Sequence, residues 1–288
     1  MSAFFIVLTK ADLWWYIFSN QCRVIMDLIT TLFTVDTFLK VGFGSLIGIC
    51  LGLTGVGGGV LIIPILQVVF GMQIVMAVGT ASLISTIVKV NAGYSHIKAG
   101  NVEWNALKWM LLGSIPATLL MTELIVHLNN SASLQNVVTF VIEAVIIAIM
   151  LFALFTMYQK YRSSESAIEA KQYSNKVAVS AGVTCGSLLG STGVGGGVLL
   201  LPAFNTLLGV SIKKSIGSSL VMALVLSGLT ALNYSKGGQS DVMTAVLMSA
   251  GAVIGVPIAI RLLKRFSDKQ IYLSTMVVIS VALLMMFV

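Results

Sequence analysis

"LTGVGGGVLIIP" at residues 53–64 and "STGVGGGVLLLP" at residues 191–202 are near copies of one phrase. Between residues 51–64 and 189–202 the chain differs from itself only where Leu53, Ile62 and Ile63 stand opposite Ser191, Leu200 and Leu201. The same offset of 138 residues aligns Gly44 and Gly48 with Gly182 and Gly186, and Gly71 and Gly79 with Gly209 and Gly217. It also aligns Lys98 and Gly100 with Lys236 and Gly238. A fixed self-match of this length means two copies of one structural unit. The organisation read from it is an N-terminal extension over 1–36, repeat 1 over 37–157, a polar linker over 158–176 expected to be cytoplasmic, and repeat 2 over 177–288. The extension mixes Asp12, Asp27 and Asp36 with tryptophans and other apolar residues, and either adds a crossing or lies in the membrane interface.

Of the 288 residues, 57% are hydrophobic and 9% are charged, a balance foreign to soluble domains. Apolar runs long enough to span a bilayer, roughly 18 residues, lie at 74–92, 106–128, 134–157, 215–234, 242–260 and 271–288. Outer-membrane barrels show short alternating segments instead. The expected class is an all-α integral membrane protein that crosses several times. The formal charge of +7 does not point to nucleic acid, because the basic residues stand singly or in pairs at the ends of apolar runs and read as topology signals. Cys22, Cys50 and Cys185 have no CxxC spacing and read as plain thiols. Two histidines outside the glycine phrases supply no transition-metal site, haem pair or iron–sulfur ligand set. No cofactor and no enzymatic chemistry are expected. The N-terminus lacks a basic n-region and a small-residue cleavage site, and does not read as a removable signal peptide.

Each repeat opens with an apolar stretch, 38–71 or 177–209, cut by its glycine phrase. At about 1.5 Å per residue the piece 38–53 spans about 24 Å and 59–71 about 20 Å. Both fall short of a hydrocarbon core of about 30 Å, so each stretch is either one long crossing or a re-entrant hairpin of two half-helices. If both are hairpins, Lys98, Lys108, Lys160, Arg162, Lys171, Lys176, Lys213, Lys214, Arg261, Lys264, Arg265 and Lys269 fall on the cytoplasmic side, with Lys40 and Lys236 outside. Single crossings would move the last six of that series to the wrong face. The positive-inside bias therefore favours hairpins. A hairpin plus three crossings inverts the second repeat relative to the first, as in transporters with inverted-topology repeats whose glycine tips meet near the midplane.

Broken backbone at membrane depth needs partners or a wet cavity. Consecutive glycines can turn successive N–H groups toward one point and form an anion nest, and each phrase leads into a helix N-terminus. Thr54, Gly55, Gly57, Gly58 and Gly59, with Ser191, Thr192, Gly193, Gly195, Gly196 and Gly197, are the candidate substrate-binding residues. The spaced ladders Gly44, Gly48, Gly52 and Gly182, Gly186, Gly190 read instead as close helix packing. "GVGGG" lacks both the spacing of a dinucleotide fingerprint and the lysine of a P-loop. Pro64 and Pro202 either sit in the first turn of their half-helices or leave a carbonyl free near Val60 and Val198. Glu143, in mid-span, is a candidate for proton coupling or a hydrogen-bonded structural acid. Lys89 either neutralises an anion or snorkels to the cytoplasmic face. Glu123, His96 and Lys98 read as helix-end residues.

The doubled "GVGGG…P" phrase, "VGTASL" at 78–83 and "HIKAGNVEW" at 96–104 resemble the sulfite exporter TauE/SafE family over roughly residues 36–288. The resemblance implies a carrier in the bacterial inner membrane that moves sulfite, thiosulfate or a small organosulfonate, usually outward. It falls on the threonines and glycines of the two phrases already singled out. Beyond the phrases the halves match less well, with Lys89 opposite Ser227 and His96 opposite Tyr234. The expected mechanism is alternating access by rocking one repeat against the other. A carboxylate carrier and a non-transporting scaffold are the competing readings. The expected partners are the bilayer, a small anion and a coupling proton, and a homodimer is among the assemblies such a chain can adopt.

Overall fold

The computed structural model describes residues 34–54, 59–131, 133–162, 174–193, 198–263, 266 and 268–287, and every regular element among them is helical. The first unit contains α1 (Val35–Thr54), α2 (Gly59–Val68), α3 (Ile74–Lys98), α4 (Trp104–Asn129) and α5 (Gln135–Arg162). The second contains α6 (Asn175–Thr192), α7 (Leu200–Pro202, continued by a π-helical turn Ala203–Leu207), α8 (Ile212–Lys236), α9 (Val242–Leu263) and α10 (Asp268–Met285). The extension before residue 34 and the middle of the linker lie outside the described residues. Counterpart helices α3 and α8 begin and end at matched positions, and the matched turn glycines share one backbone state. Gly71 and Gly209 have φ of 63° and 62°, and Gly100 and Gly238 have 67° and 70°. Those left-handed turns are why glycine recurs at the same offset.

Among the described residues α3, α4, α5 over Gln135–Gln159, α8, and α9 over Val242–Ala259 are long and apolar enough to cross a membrane. Within the sixth expected run the described apolar helix is Leu273–Met285. Leu112, Leu120, Phe140 and Phe155 point outward from the bundle, as a lipid-facing surface requires. α1 is longer than the piece 38–53 read from the sequence. The 20 residues of α1 extend about 30 Å, enough to match a hydrocarbon core, because the helix starts at Val35 rather than residue 38. The 10 residues of α2 reach about 15 Å and cannot cross.

Helix directions follow from residue contacts. On α3 and α8, Gly79 lies against Tyr234, Thr86 bonds Ser227 and Gly93 lies against Leu224. The numbers run in opposite senses, so these counterparts are antiparallel. On α1 and α9, Gly44 meets Met248 and Gly48 meets Ala252; on α4 and α6, Met110 meets Gly182, Ser114 meets Gly186 and Thr118 meets Gly190. Both pairs are parallel. Asp241 at the head of α9 binds Thr80 near the head of α3, and Glu103 at the head of α4 binds Ser218 near the head of α8. Hence α1, α3 and α9 point one way and α4, α6 and α8 the other. To start α3 in the direction of α1, the chain must double back through α2, and the rings of Phe43 and Phe70 meet edge-on at 5.9 Å.

The glycine ladders do what their spacing predicts: they remove side chains where backbones approach. A Cβ on Gly44 or Gly182 would fall on the carbonyl of Met248 or Met110, and these two contacts are counterparts at the 138-residue offset. The partner in each case belongs to the other repeat. One apolar core gathers α1, α2, the first half of α3 and α9, with α5 and α10 beside them. The other gathers α6, α7, α8 and the first half of α4. The bundle is therefore two related bodies that have exchanged a helix, and the antiparallel α3–α8 contact runs between them.

Asp241 caps α9 outside the membrane-spanning segments. Thr244 donates its N–H to Oδ1 (3.0 Å) and its hydroxyl to Oδ2 (2.6 Å). Burial alone would raise the Asp241 carboxyl, but the Thr244 donors, the Lys40 ammonium and the Met243 amide outweigh it and hold the group below its ordinary value. A carboxyl depressed in the folded state stabilises above its unfolded pKa, and that contribution is lost as pH falls through the folded value. The gap in apparent Tm between wild type and Asp241→Ala is therefore expected to be full at neutral pH and to close in acid. A gap independent of pH would reject this.

Candidate functional site

Several hydroxyl side chains of α3 and α8 are buried in the seam where the two bodies meet. Thr80, Ser82, Ser85, Ser218, Ser227 and Thr230 are buried. At the ends of the seam two symmetric bonds pin it: the amide of Asp241 donates to Thr80 Oγ1 (2.9 Å) and the amide of Glu103 to Ser218 Oγ (2.8 Å). Lys214 reinforces the second with an ion pair to Glu103 at 2.8 Å. In the middle Thr86 donates to Ser227 Oγ at 3.0 Å. One turn from that bond, Ser82 on α3 and Thr230 on α8 are fully buried, and their hydroxyls have no partner. An unsatisfied buried hydroxyl costs about 1–3 kcal/mol, so two of them in one seam mark a place fit for a polar guest.

The second glycine phrase ends beside this pair. Gly193 caps α6 with φ of 62°, its N–H bonded to the Leu189 carbonyl at 2.8 Å. A Cβ there would stand 2.8 Å from Ser82 Oγ, so the tip of the second stretch touches the unpartnered hydroxyl. Ser191 and Thr192 donate back to the Leu188 carbonyl at 3.0 and 2.6 Å, the habit of hydroxyl residues in a last helical turn. Tyr234 OH donates to the end carbonyls of Gly190 (3.2 Å) and Ser191 (3.4 Å), closing groups the helix end leaves open. In the first phrase α1 is described up to Thr54 and α2 from Gly59. Gly55, Gly57, Gly58, Gly195, Gly196 and Gly197 lie outside the described residues.

The two prolines resolve differently. Pro64 sits inside α2, which starts at Gly59, so the Val60 carbonyl has no i+4 donor. Pro202 is the third residue of α7, in its first turn, and the chain then opens into the π turn with Leu208 N–H reaching the Ala203 carbonyl at 3.1 Å. Each alternative holds in one half.

Lys89 does not snorkel. Its ammonium turns toward the N-terminal side of α3 and donates to buried Ser85, as helical side chains lean. That holds the charge at mid-helix on the same length of α3 as Thr86. Glu143 is half-buried and accepts from Gln67 Nε2 at 3.3 Å. It therefore ties α5 to the C-terminal part of α2, about 12 Å along that helix from Gly59. Glu123 and Lys98 are exposed, while His96 has a buried Nδ1 without a partner. Ser82, Ser85, Thr86, Ser227 and Thr230 escaped the sequence reading. The signal for the α3 group was present as Ser82, Ser85, Thr86 and Lys89, which recur at helical spacing inside an apolar run.

The sulfite exporter TauE/SafE family model matches residues 41–286. The chain belongs to this family. Similar proteins include the probable membrane transporter protein YjnA of Bacillus subtilis, 26% identical over 82% of this chain and 95% of its own length. YdhB of the same organism, also a probable membrane transporter protein, is 23% identical over 73% of this chain and 83% of its own. A probable membrane transporter protein of Haemophilus influenzae is 26% identical over 68% and 73%. No solved structure matches the chain. This TauE/SafE protein is thus a multi-pass membrane transporter.

Proposed function

We propose that this protein is a secondary transporter that carries a small sulfur-containing anion, sulfite, thiosulfate or an organosulfonate, outward across a bacterial inner membrane by alternating access. The observation that carries the reading is the α3–α8 seam, where buried hydroxyls without partners meet the tip of a glycine-broken helix. Inverted topology of the repeats is supported by the antiparallel run of α3 and α8, since counterparts that both cross must then cross in opposite senses. Re-entrant hairpins are supported by α2, too short to span, and by the contact of Phe70 with Phe43.

The moving units differ from the two sequence repeats. Backbone-to-backbone packing locks α1 to α9 and α4 to α6, so the rocking bodies are α1–α3 with α9 and α6–α8 with α4. The hydroxyl-lined seam between them opens to one side and then the other. Glu143 acts in coupling rather than in binding, since its carboxyl group is tied to Gln67 near the end of α2 and not to the seam. The test is flux in proteoliposomes. Counterflow of sulfite, thiosulfate or an alkylsulfonate is the expected result. Flux of carboxylates alone would transfer the scaffold to another substrate, and no flux of any anion would leave a non-transporting scaffold.

A further inference from the structure

The charge the seam holds limits the charge its guest can carry. Lys89 is the only charged side chain of α3 before Lys98, and α8 has none between Lys214 and Lys236. Neither α2 nor α9 over Val242–Ala259 contains an acid. Of the elements packed on α3, only α5 offers a carboxylate within its span, Glu143, and that group is engaged by Gln67. Among the described residues the ion pairs are Lys40 with Asp36 and Lys214 with Glu103, so Lys89 has a hydroxyl partner and no counter-ion.

An ammonium at membrane depth is costly without a counter-charge. The helix end that touches Ser82 is the C-terminus of α6 at Gly193, whose partial negative charge is a fraction of one unit and does not neutralise the ammonium. One whole positive charge therefore stands at Ser85, next in sequence to Thr86 and a turn of α3 from the unpartnered hydroxyl of Ser82. An anion with a single charge and several acceptor oxygens completes this arrangement. A doubly charged anion would leave one unit of negative charge uncompensated in a low dielectric.

We infer that Lys89 is the charge-matching residue of the seam and that the guest is taken as a monoanion, an alkylsulfonate or hydrogen sulfite, in preference to sulfate, thiosulfate or the sulfite dianion. This rests on the anion-carrier reading and adds the charge state and the residue that selects it. The asymmetry of the repeats has its reason here: with serine at position 227 opposite Lys89, the pseudo-symmetric seam carries one charge instead of two.

The experiment is thermal stabilisation of the purified full-length protein by methanesulfonate, sulfate and thiosulfate at matched ionic strength, for wild type, Lys89→Met and Lys89→Arg. The expected wild-type response is half-saturation by methanesulfonate at least about tenfold below that of either dianion, the weight of one charge-assisted contact. Lys89→Met is expected to lose the methanesulfonate response while its ligand-free Tm stays level or rises, because an unpaired buried charge has been removed. Lys89→Arg should keep the response. Dianions binding wild type as well as methanesulfonate, or Lys89→Met responding like wild type, would overturn the inference and leave the carrier reading standing. Should Lys89→Met fail to fold, the comparison of anions on wild type and Lys89→Arg decides the matter alone. A wild type that none of the three anions stabilises would overturn the carrier reading, and the charge match with it.

Discussion

Gly44→Leu and Gly182→Leu will each strip the protein of most of its stability, while Gly42→Leu, two residues away, will leave it close to wild type. The contrast follows from what each new side chain meets. At Gly44 a Cβ falls on the backbone carbonyl of Met248, and at Gly182 on that of Met110. At Gly42 nothing lies within 4 Å. Overpacking a core by a few methylenes costs about 1–3 kcal/mol when side chains can yield, and here the obstacle is backbone on a parallel helix that has to move whole. The expected cost is at the upper end of that range or beyond it, read as a large fall in apparent Tm and loss of the monodisperse peak in detergent. Trimming the Met248 side chain gives no rescue, because the carbonyl remains. Wild-type Tm in Gly44→Leu would refute the pairing of α1 with α9, and with it the exchanged-helix bodies.

The second large effect is on transport. Gly193→Ala is expected to fold, at a cost of about 1 kcal/mol for placing a side chain in the left-handed region, and to carry substrate at about a tenth of the wild-type rate or less. The new methyl would stand 2.8 Å from Ser82 Oγ, on the face of α3 where a guest would bind. Adding Ser82→Ala removes the atom that is struck, so the double variant should regain part of the lost Tm without regaining flux. Restored flux in the double variant would mean that the clash, and not the hydroxyl, was what mattered. Normal flux in Gly193→Ala would remove the tip of the second stretch from the site.

Much of this architecture was readable in the chain. The class came from apolar runs and their charged ends, and the repeat from glycines that recur because their turns recur, as at Gly71 and Gly209. The ladders at Gly44 and Gly182 announced close packing correctly. Polar residues within spans were harder to read. Lys89 next to a helix end in sequence looks like a snorkelling residue, and only the position of Ser85 a turn earlier shows the ammonium held inward. Ser82 and Thr230 look like ordinary small hydroxyl residues until each is found buried without a partner.

What the sequence by itself determined is local or periodic: helices, the glycine turns at positive φ, and the self-match at an offset of 138 residues. Those depend on residues a few positions apart, and a repeat makes the same local choices twice. The tertiary structure alone decided which helix lies in each glycine groove, that the partner comes from the other repeat, and that α3 meets α8 head to tail. A glycine ladder lowers the cost of any close approach without naming the neighbour. The neighbour is chosen by the antiparallel crossing of the long helices, a relation between residues more than a hundred positions apart that no local pattern encodes.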